Sequence, residues 1–306
     1  MTKTVLILGA SGKIGSFAAE AFWNAGWTVR RYDRSTDMTA AAKGADVIVN
    51  GLNPPAYHDW AHIIPAITAQ VIAAAKASGA TVIVPGNVYN FAFRPGRTTQ
   101  TWDETTPQAP TTRKGRVRKE MEEAYAASGV RTIILRAGSF IAPGREDDTM
   151  GAILLRDLAK GKVTVPGRPD TRHAYTYLPD WARAAVMLAE RRESLSRFED
   201  IPMPGPHFTP VELKSALEAE LGRKLRFGGF PWALMRLASP FWELAREMSE
   251  MKPLWFTSHR LGGAKFARLL PEFQPTPVAN VMLSGLASQV HPDKAVRSGG
   301  QPVTAQ

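Results

Sequence analysis

The sequence contains no cysteine, and this absence excludes three kinds of chemistry. Disulfide bonds, thiolate metal sites and cysteine nucleophiles all require that residue. The chain also lacks a long uninterrupted apolar run, and its N-terminus enters an apolar strand at once, without a charged leader. Neither a membrane-spanning helix nor a secretion signal is therefore predicted. We expect a cytoplasmic protein without a membrane partner.

Basic residues are in excess, and the formal net charge is +10 over 306 residues. Most of the cations are mixed with acids along the chain. The one dense patch, RKGRVRK at residues 113–119, runs directly into Glu120, Glu122 and Glu123. Because no nucleic-acid-binding motif accompanies the charge, a nucleic-acid partner is not expected. A phosphate-bearing cofactor or an acidic substrate accounts better for the excess.

The first fifteen residues carry the strongest motif of the chain. The apolar run VLIL at residues 5–8 leads into GASGKIG at residues 9–15, and an amphipathic segment follows at 16–25. This order predicts a buried strand, a tight glycine turn and a helix whose N-terminus binds phosphate. Gly9 would allow the turn, Gly12 would let the backbone approach a pyrophosphate, and Gly15 would let the helix pack closely. The predicted cofactor contacts in this motif are Gly9, Ser11, Gly12, Lys13, Ile14 and Gly15.

Two charged residues bear on the choice between NAD and NADP. The second predicted strand ends at Asp33, and Arg34 follows it. An acid about 20 residues beyond the glycine motif commonly binds the ribose hydroxyls of NAD, whereas a nearby arginine favours the 2′-phosphate of NADP. With both present the cofactor is NAD or NADP, and the acid shifts the balance towards NAD.

Strands and helices continue to alternate as far as residue 148. Strands are predicted at 45–51, 80–84 and 131–135, and helices within 58–78 and at 114–127. The stretch 91–112 has no period and is predicted to be a loop. The alternation indicates an α/β fold with a doubly wound parallel Rossmann sheet, whose strand ends converge on one crevice. Asn50, Gly51, Leu52 and Arg136 are predicted cofactor contacts at these ends.

Beyond residue 148 the alternation weakens, which predicts a small, mainly helical C-terminal substrate lobe. We assign residues 1–148 to the NAD(P)-binding domain, with contributions from about 174–201, and residues 149–288 mostly to the lobe. The residues predict helices at 150–160, at 180–191 and after the capping box at Thr209. The aromatic stretch 230–256 would pack the lobe, cover a substrate pocket or face a partner. Residues 289–306 are polar and are predicted to be a disordered tail.

Several motifs together resemble the extended short-chain dehydrogenases/reductases, in the group of NAD-dependent epimerases and dehydratases. The motifs are GASGKIG at 9–15, ADVI at 45–48, NVY at 87–89, LRAG at 135–138 and YLPD at 177–180. The resemblance covers roughly residues 3–285. It implies a Rossmann domain, a small substrate lobe and, in most members, a catalytic Ser or Thr with a Tyr-x-x-x-Lys pair.

The sequence departs from that pattern at the catalytic positions. It reads PGN at residues 85–87 where the family has serines, and KGRVR at 114–118 where the family has Tyr-Gly-x-x-Lys. The second stretch is similar to an atypical branch that contains isoflavone reductase-like enzymes and nitrogen-metabolite regulators. That resemblance implies a lysine at position 114 that binds the nicotinamide ribose and assists proton transfer. The residues add that cationic neighbours would disfavour the protonated form of Lys114. Candidate catalytic residues are Lys114, Asn87 and Tyr89.

Three functions remain open on this basis. The first is an NAD(P)-dependent oxidoreductase acting on a small carbonyl- or enone-like substrate, with Lys114 in place of the tyrosine. The second is a non-catalytic NAD(P) redox sensor, and the third is a nucleotide-sugar epimerase or dehydratase. A metal site is not expected, since His58 and His62 lack acids in a ligand pattern. Arg172 and His173 could reach a substrate, and a homodimer is one option for the assembly.

Overall fold

The computed structural model describes residues 2–286, so the predicted tail at 289–306 lies outside the described residues. The strands are β1 (Thr4–Leu8), β2 (Thr28–Arg31), β3 (Val47–Asn50), β4 (Thr81–Gly86), β5 (Gly96–Trp102), β6 (Thr132–Arg136), β7 (Ser139–Ile141), β8 (Lys162–Val165), β9 (His173–Tyr177), β10 (Phe198–Pro202), β11 (His207–Phe208), β12 (Arg226–Gly229) and β13 (Thr257–Leu261). The helices are α1 (Lys13–Asn24), α2 (Met38–Ala42), α3 (Trp60–Ser78), α4 (Arg113–Ala127), α5 (Leu178–Glu190), α6 (Pro210–Leu221), α7 (Trp232–Ala238), α8 (Glu243–Glu250), α9 (Lys252–Trp255), α10 (Ala264–Leu269) and α11 (Val278–Leu283).

The predicted parallel Rossmann sheet is confirmed. Six strands lie in the order β10-β6-β4-β3-β1-β2, and every neighbouring pair is parallel. Because the strands share one direction, the residues that follow β1, β3, β4 and β6 meet at the same edge. Among residues 2–286, no helix is both long enough and apolar enough to span a bilayer.

Successive side chains of the sheet point to opposite faces, which explains the apolar runs in its strands. Val5 and Ile7 belong to a core with α1 and α5, which includes Phe22 and Trp181. Leu6 and Leu8 belong to the opposite core, with α2, α3 and α4. Both faces are therefore covered by helices. The stretch predicted to rejoin the Rossmann domain contains α5, which packs on α1, and β10, which pairs with β6.

The C-terminal part of the chain adds small sheets and short helices around two further cores. One core joins β7, β8 and β9 to α6 and α11, and it includes Leu154, Leu213 and Val281. The other lies between the segment after β4 and the α8–β13 region, and it includes Phe91, Trp102 and Leu254. The first core lies within the lobe, and the second joins the lobe to the segment that follows β4.

Two sequence predictions about elements are corrected. The predicted loop at 91–112 contains β5, which pairs in parallel with the distant β13. The predicted helix at 150–160 is a π-helical turn, Met150–Leu154, followed by a 3-10 turn, Leu158–Lys160. The aromatic stretch 230–256 forms three short helices, with Pro240 between α7 and α8 and Pro253 in the first turn of α9. The capping box at Thr209 is confirmed: its hydroxyl accepts from Glu212 N, and the Glu212 carboxylate accepts from Thr209 N.

Candidate active site

The glycine motif forms a tight turn between β1 and α1. Gly9 has φ +71°, and Gly12 N donates to Gly9 O over 2.9 Å. A Cβ on Gly9 would lie 2.9 Å from Gly51 O, and one on Gly15 would lie 2.2 Å from Gly9 O. Gly9 and Gly15 are therefore required by the close packing of this turn.

Gly12 differs from the other two glycines of the motif. Its backbone is extended at φ −76°, and a Cβ there would meet only Gly9 O within 4 Å, at 3.2 Å. No side chain caps α1 at this end. Gly12 thus leaves open space beside a helix N-terminus, which is the arrangement that a pyrophosphate requires. Ser11, Lys13 and Ile14 share the turn, and Lys13 Nζ lies 2.5 Å from Asp147 O.

The floor of the crevice is formed at the end of β3. Asn50 is 5% exposed, its Nδ2 donates to the Tyr125 hydroxyl at 3.2 Å, and its Oδ1 accepts from Leu52 N at 3.2 Å. A Cβ on Gly51 would lie 2.8 Å from Leu8 O. These contacts fix the positions of Asn50 and Gly51 beside the glycine turn.

Asp33 and Arg34 follow β2, the strand next to β1, and both side chains are exposed. The Asp33 carboxylate accepts from Ser35 N over 2.9 Å, and hydrogen bonds from Ser35 lower the pKa of Asp33. Asp33 is therefore ionised at neutral pH, at the edge where an adenosine ribose would lie.

Lys114 is the most enclosed charged residue of the crevice. Only 2% of its side chain is exposed, and Nζ lies 2.5 Å from Glu247 Oε2 and 2.6 Å from Glu250 Oε2. The same Nζ is 5.0 Å from the centroid of the Tyr57 ring. α8 also brings two carboxylates to this position, and Arg113 of α4 contacts both of them, so Lys114 lies in a mixed cluster of two cations and two acids.

Of the neighbouring cations of α4, Arg113 shares the carboxylates of Lys114, whereas Arg118 does not. Arg113 Nη2 donates to Glu247 Oε1 at 2.8 Å. Arg118 extends to Pro85 O at the end of β4 and stacks over the Trp60 ring at 6.0 Å. A Cβ on Gly115 would lie 2.2 Å from Tyr89 O, so glycine at this position lets the start of α4 approach the strand-end segment.

Two tyrosines line the crevice beside Lys114. The hydroxyls of Tyr57 and Tyr89 lie 3.2 Å apart. Burial raises the pKa of both phenols, so each stays protonated at neutral pH and can donate a hydrogen bond. Asn87 accepts from Tyr89 N at 2.8 Å through its Oδ1, which fixes the turn that carries Tyr89.

Tyr57 is a site residue that the sequence did not reveal. It lies in a short segment in which Ala56, Tyr57 and Asp59 have φ values of 52°, 62° and 41°. Such backbone costs of the order of 1–3 kcal/mol per residue and persists only where neighbours enforce it. Here the Glu243 carboxylate of α8 contacts His58 Nδ1 at 2.8 Å and accepts from Asp59 N at 3.4 Å. Aromatic character in the turn was the only signal in the sequence.

Arg136 does not face the crevice as a free donor. It is fully buried, and its N–H groups donate to Glu122, Asp200 and Asn87 O, at distances from 2.6 to 3.2 Å. These contacts use the five donors of the guanidinium. The predicted cofactor contact is replaced by an ion-pair network beneath the strand ends.

The remaining candidates lie in the C-terminal part. Ser139 Oγ and His173 Nε2 lie 2.8 Å apart, and His173 stacks on Trp255 with centroids 4.5 Å apart. Burial lowers the pKa of His173 well below its ordinary value, so the imidazole is neutral. Arg172 is held by His207 O and the Glu212 carboxylate, each at 2.7 Å.

The histidine pair of α3 and its preceding turn is not arranged as a metal site. His58 contacts Glu243, and His62 Nδ1 lies 2.6 Å from the Asp59 carboxylate. Within residues 2–286, no group of three or more potential ligand side chains could hold a metal ion.

Comparison with solved structures gives the fold a context. MoeE5 in complex with UDP-glucose and NAD superposes with a TM-score of 0.73 at 15% identity, over 94% of this chain and 99% of that one. TunA, an NAD-dependent NDP-hexosamine 5,6-dehydratase, gives 0.71 at 16% identity, over 95% and 99%. UDP-glucuronic acid 4-epimerase from Bacillus cereus in complex with NAD gives 0.71 at 16% identity, over 97% and 100%.

No protein-family model and no curated protein matches the chain by sequence. The chain therefore shares the complete fold of these three structures, at only 15–16% sequence identity. The similarity extends through the C-terminal lobe and is not confined to the Rossmann sheet.

Proposed function

We propose that this chain is an NAD(P)-dependent oxidoreductase with the extended short-chain dehydrogenase/reductase fold, acting on a small carbonyl- or enone-like substrate. The observation that carries the proposal is the buried ammonium of Lys114 beside the Tyr57 ring, whose hydroxyl lies 3.2 Å from that of Tyr89. These are polar donors in buried surroundings, where proton transfer to a carbonyl oxygen is effective.

The chain has the features that a dinucleotide requires. Gly12 leaves space at the uncapped N-terminus of α1, and the carboxylate of Asp33 lies beyond the adjacent strand. Asp33 favours NAD over NADP as the cofactor, because its ionised carboxylate would repel a 2′-phosphate. A bound nicotinamide would supply the hydride or accept it.

The residues of the chain would supply binding and proton transfer. We assign Lys114 to anchoring the nicotinamide ribose and donating the proton, with Glu247 and Glu250 holding its position. Tyr57 would orient the substrate oxygen through its hydroxyl, and Tyr89 would fix Tyr57. Asn87 would act indirectly, through the backbone of Tyr89.

A nucleotide-sugar epimerase or dehydratase is the second candidate. The favouring observation is that the likeness to enzymes of that type covers at least 99% of their chains, including the lobe. The absent tyrosine of Tyr-x-x-x-Lys weighs against it. The non-catalytic sensor is the third candidate, and the two carboxylates that already occupy Lys114 support it.

Native mass spectrometry of the purified protein, followed by substrate screening, separates these candidates. Retained NAD(H) or NADP(H) supports all three, and absence of both, with no binding on addition, would refute them together. Consumption of NAD(P)H with carbonyls or enones supports the oxidoreductase. Conversion of UDP-sugars without net cofactor consumption indicates the epimerase or dehydratase, and cofactor binding without any turnover indicates the sensor. We place the protein in the cytoplasm, acting on a small molecule, with a homodimer as one option for the assembly.

A further inference from the structure

We propose that the outer face of α7 and the turn after it docks onto an anionic lipid surface. This outer face consists of Leu234, Leu237, Phe241 and Trp242, whose exposed fractions are 58%, 77%, 96% and 48%. They are half of the large apolar side chains that are exposed within residues 2–286, and they lie within nine consecutive positions.

The helix α7 presents apolar side chains to solvent, where an ordinary surface helix presents polar ones. Its inward residue, Met235, is 8% exposed, and Leu234 and Leu237 follow the three-residue spacing of one helix face. Phe241 and Trp242 follow in the turn after the helix. A surface helix normally presents polar side chains to water, and a contiguous exposed apolar cluster marks an interaction site.

The charges around the outer face indicate which partner it fits. The acids of this segment turn towards the Rossmann domain: Glu243 contacts His58, while Glu247 and Glu250 contact Lys114. Of the cations, Arg246 pairs with Glu243 and Glu247. Arg236, between the two leucines, is exposed and has no ion pair within residues 2–286. Lys252 is likewise exposed and without an ion pair there, and its Nζ lies 5.8 Å from the centroid of the Trp232 ring.

Leucine and aromatic side chains flanked by arginine and lysine are the chemistry of interfacial binding to anionic lipid. The net charge of +10 adds a long-range attraction to such a surface. A symmetric contact between two copies would instead bring like charges near Arg236 together. The expectation of no membrane partner rests on the lack of a spanning segment, and docking at the surface does not require one.

Flotation of the full-length protein with lipid vesicles tests the proposal. We expect it to bind vesicles of phosphatidylcholine mixed with phosphatidylglycerol, and to bind vesicles of phosphatidylcholine alone much more weakly. Phe241→Ser and Leu237→Ser should each weaken binding about tenfold, since each removes one buried apolar side chain. Arg236→Glu should also weaken it, and added salt should reduce the binding of wild type.

Trp23→Ser is the matched control, because Trp23 is 61% exposed on α1, away from this face. It should bind vesicles as wild type does. Failure to bind anionic vesicles, or binding that survives Phe241→Ser, would overturn the proposal. So would a wild-type dimer that Phe241→Ser converts to monomer in light scattering, because the occupant would then be a second copy. Circular dichroism verifies that each variant is folded.

Discussion

Gly12 is predicted to be needed for cofactor binding but not for the fold. Its backbone angles suit any residue, and a Cβ would have one tight neighbour, Gly9 O. We expect Gly12→Val to remain folded and to lose binding of NADH and NADPH, since the branched side chain fills the pyrophosphate space. Calorimetric titration measures the affinity. Gly229→Val is the control, because a Cβ there has no neighbour within 4 Å. Unchanged affinity in folded Gly12→Val would remove the assignment.

Asp33 governs the choice of cofactor if the ribose lies beside it. Asp33→Ser removes a charge that repels the 2′-phosphate and leaves Arg34, so affinity for NADPH should rise relative to NADH. Arg34→Ser should change the ratio in the opposite direction. Titration of both variants with both cofactors measures the ratio, and a ratio that neither variant changes would place the ribose elsewhere.

Lys114 is predicted to have two separable roles. Lys114→Ala should weaken cofactor binding modestly and lower turnover by about 10²-fold or more, because a general acid is lost. Lys114→Arg keeps the positive charge but cannot release its proton, so it should bind cofactor and fail in turnover. Lys119→Ala, on the same helix, is the control. Stopped-flow or steady-state kinetics with the substrate identified by screening provide the measurement, and full turnover in Lys114→Ala would exclude this residue as the proton donor.

At the scale of elements, the sequence identified what depends on local pattern. The glycine turn, α4 and the capping box of α6 each follow from neighbouring residues, and the structure has them where the pattern indicated. β5 was missed because its partner β13 is far along the chain, and its own residues are largely polar. The position of α8 was also beyond local pattern, so the carboxylates beside Lys114 could not be anticipated.

The contact between α8 and the segment before α3 is predicted to depend on pH. The Glu243 carboxylate raises the pKa of His58 above its ordinary 6.5, and His58 lowers the pKa of Glu243 below 4.5. Because the pKa of His58 is raised in the folded state, protonated His58 stabilises this contact fully below about pH 6.5, and that stabilisation is lost as the pH rises through the folded-state pKa. Because the pKa of Glu243 is lowered, ionised Glu243 stabilises the contact fully above about pH 4.5. The contact is therefore strongest between about pH 4.5 and pH 6.5.

Titration of His58 by NMR measures this effect. In Glu243→Gln the pKa of His58 should fall towards its ordinary value, since the carboxylate that stabilises the imidazolium is gone. Asp157→Asn, which removes a half-buried carboxylate of the lobe that pairs with Lys160, should leave that pKa unchanged. If His58 titrates identically in wild type and Glu243→Gln, α8 is not held by this pair in solution.

At the scale of the whole molecule, the carboxyl edge of the sheet carries both a stabilising ion-pair network and the candidate active-site residues. Sequence reasoning placed Arg136 at that edge correctly, but it could not distinguish a ligand-binding arginine from a buried one. The distinction depends on Glu122 of α4 and Asp200 of β10, which are brought together only when the sheet is assembled. These ion pairs therefore connect the ends of β6 and β10 to α4.

Removing one member of the network should cost far more than removing all of it. Arg136→Met leaves the buried carboxylate of Glu122 and the half-buried one of Asp200 without their cation, and we expect a loss of about 3–5 kcal/mol in the free energy of unfolding. Replacing Arg136 by Met together with Glu122→Leu and Asp200→Leu removes the unpaired charges, so much of that loss should be recovered. Urea unfolding followed by tryptophan fluorescence measures both variants. If the triple variant is no more stable than Arg136→Met, the network contributes through its shape and hydrogen bonds, and not through charge compensation.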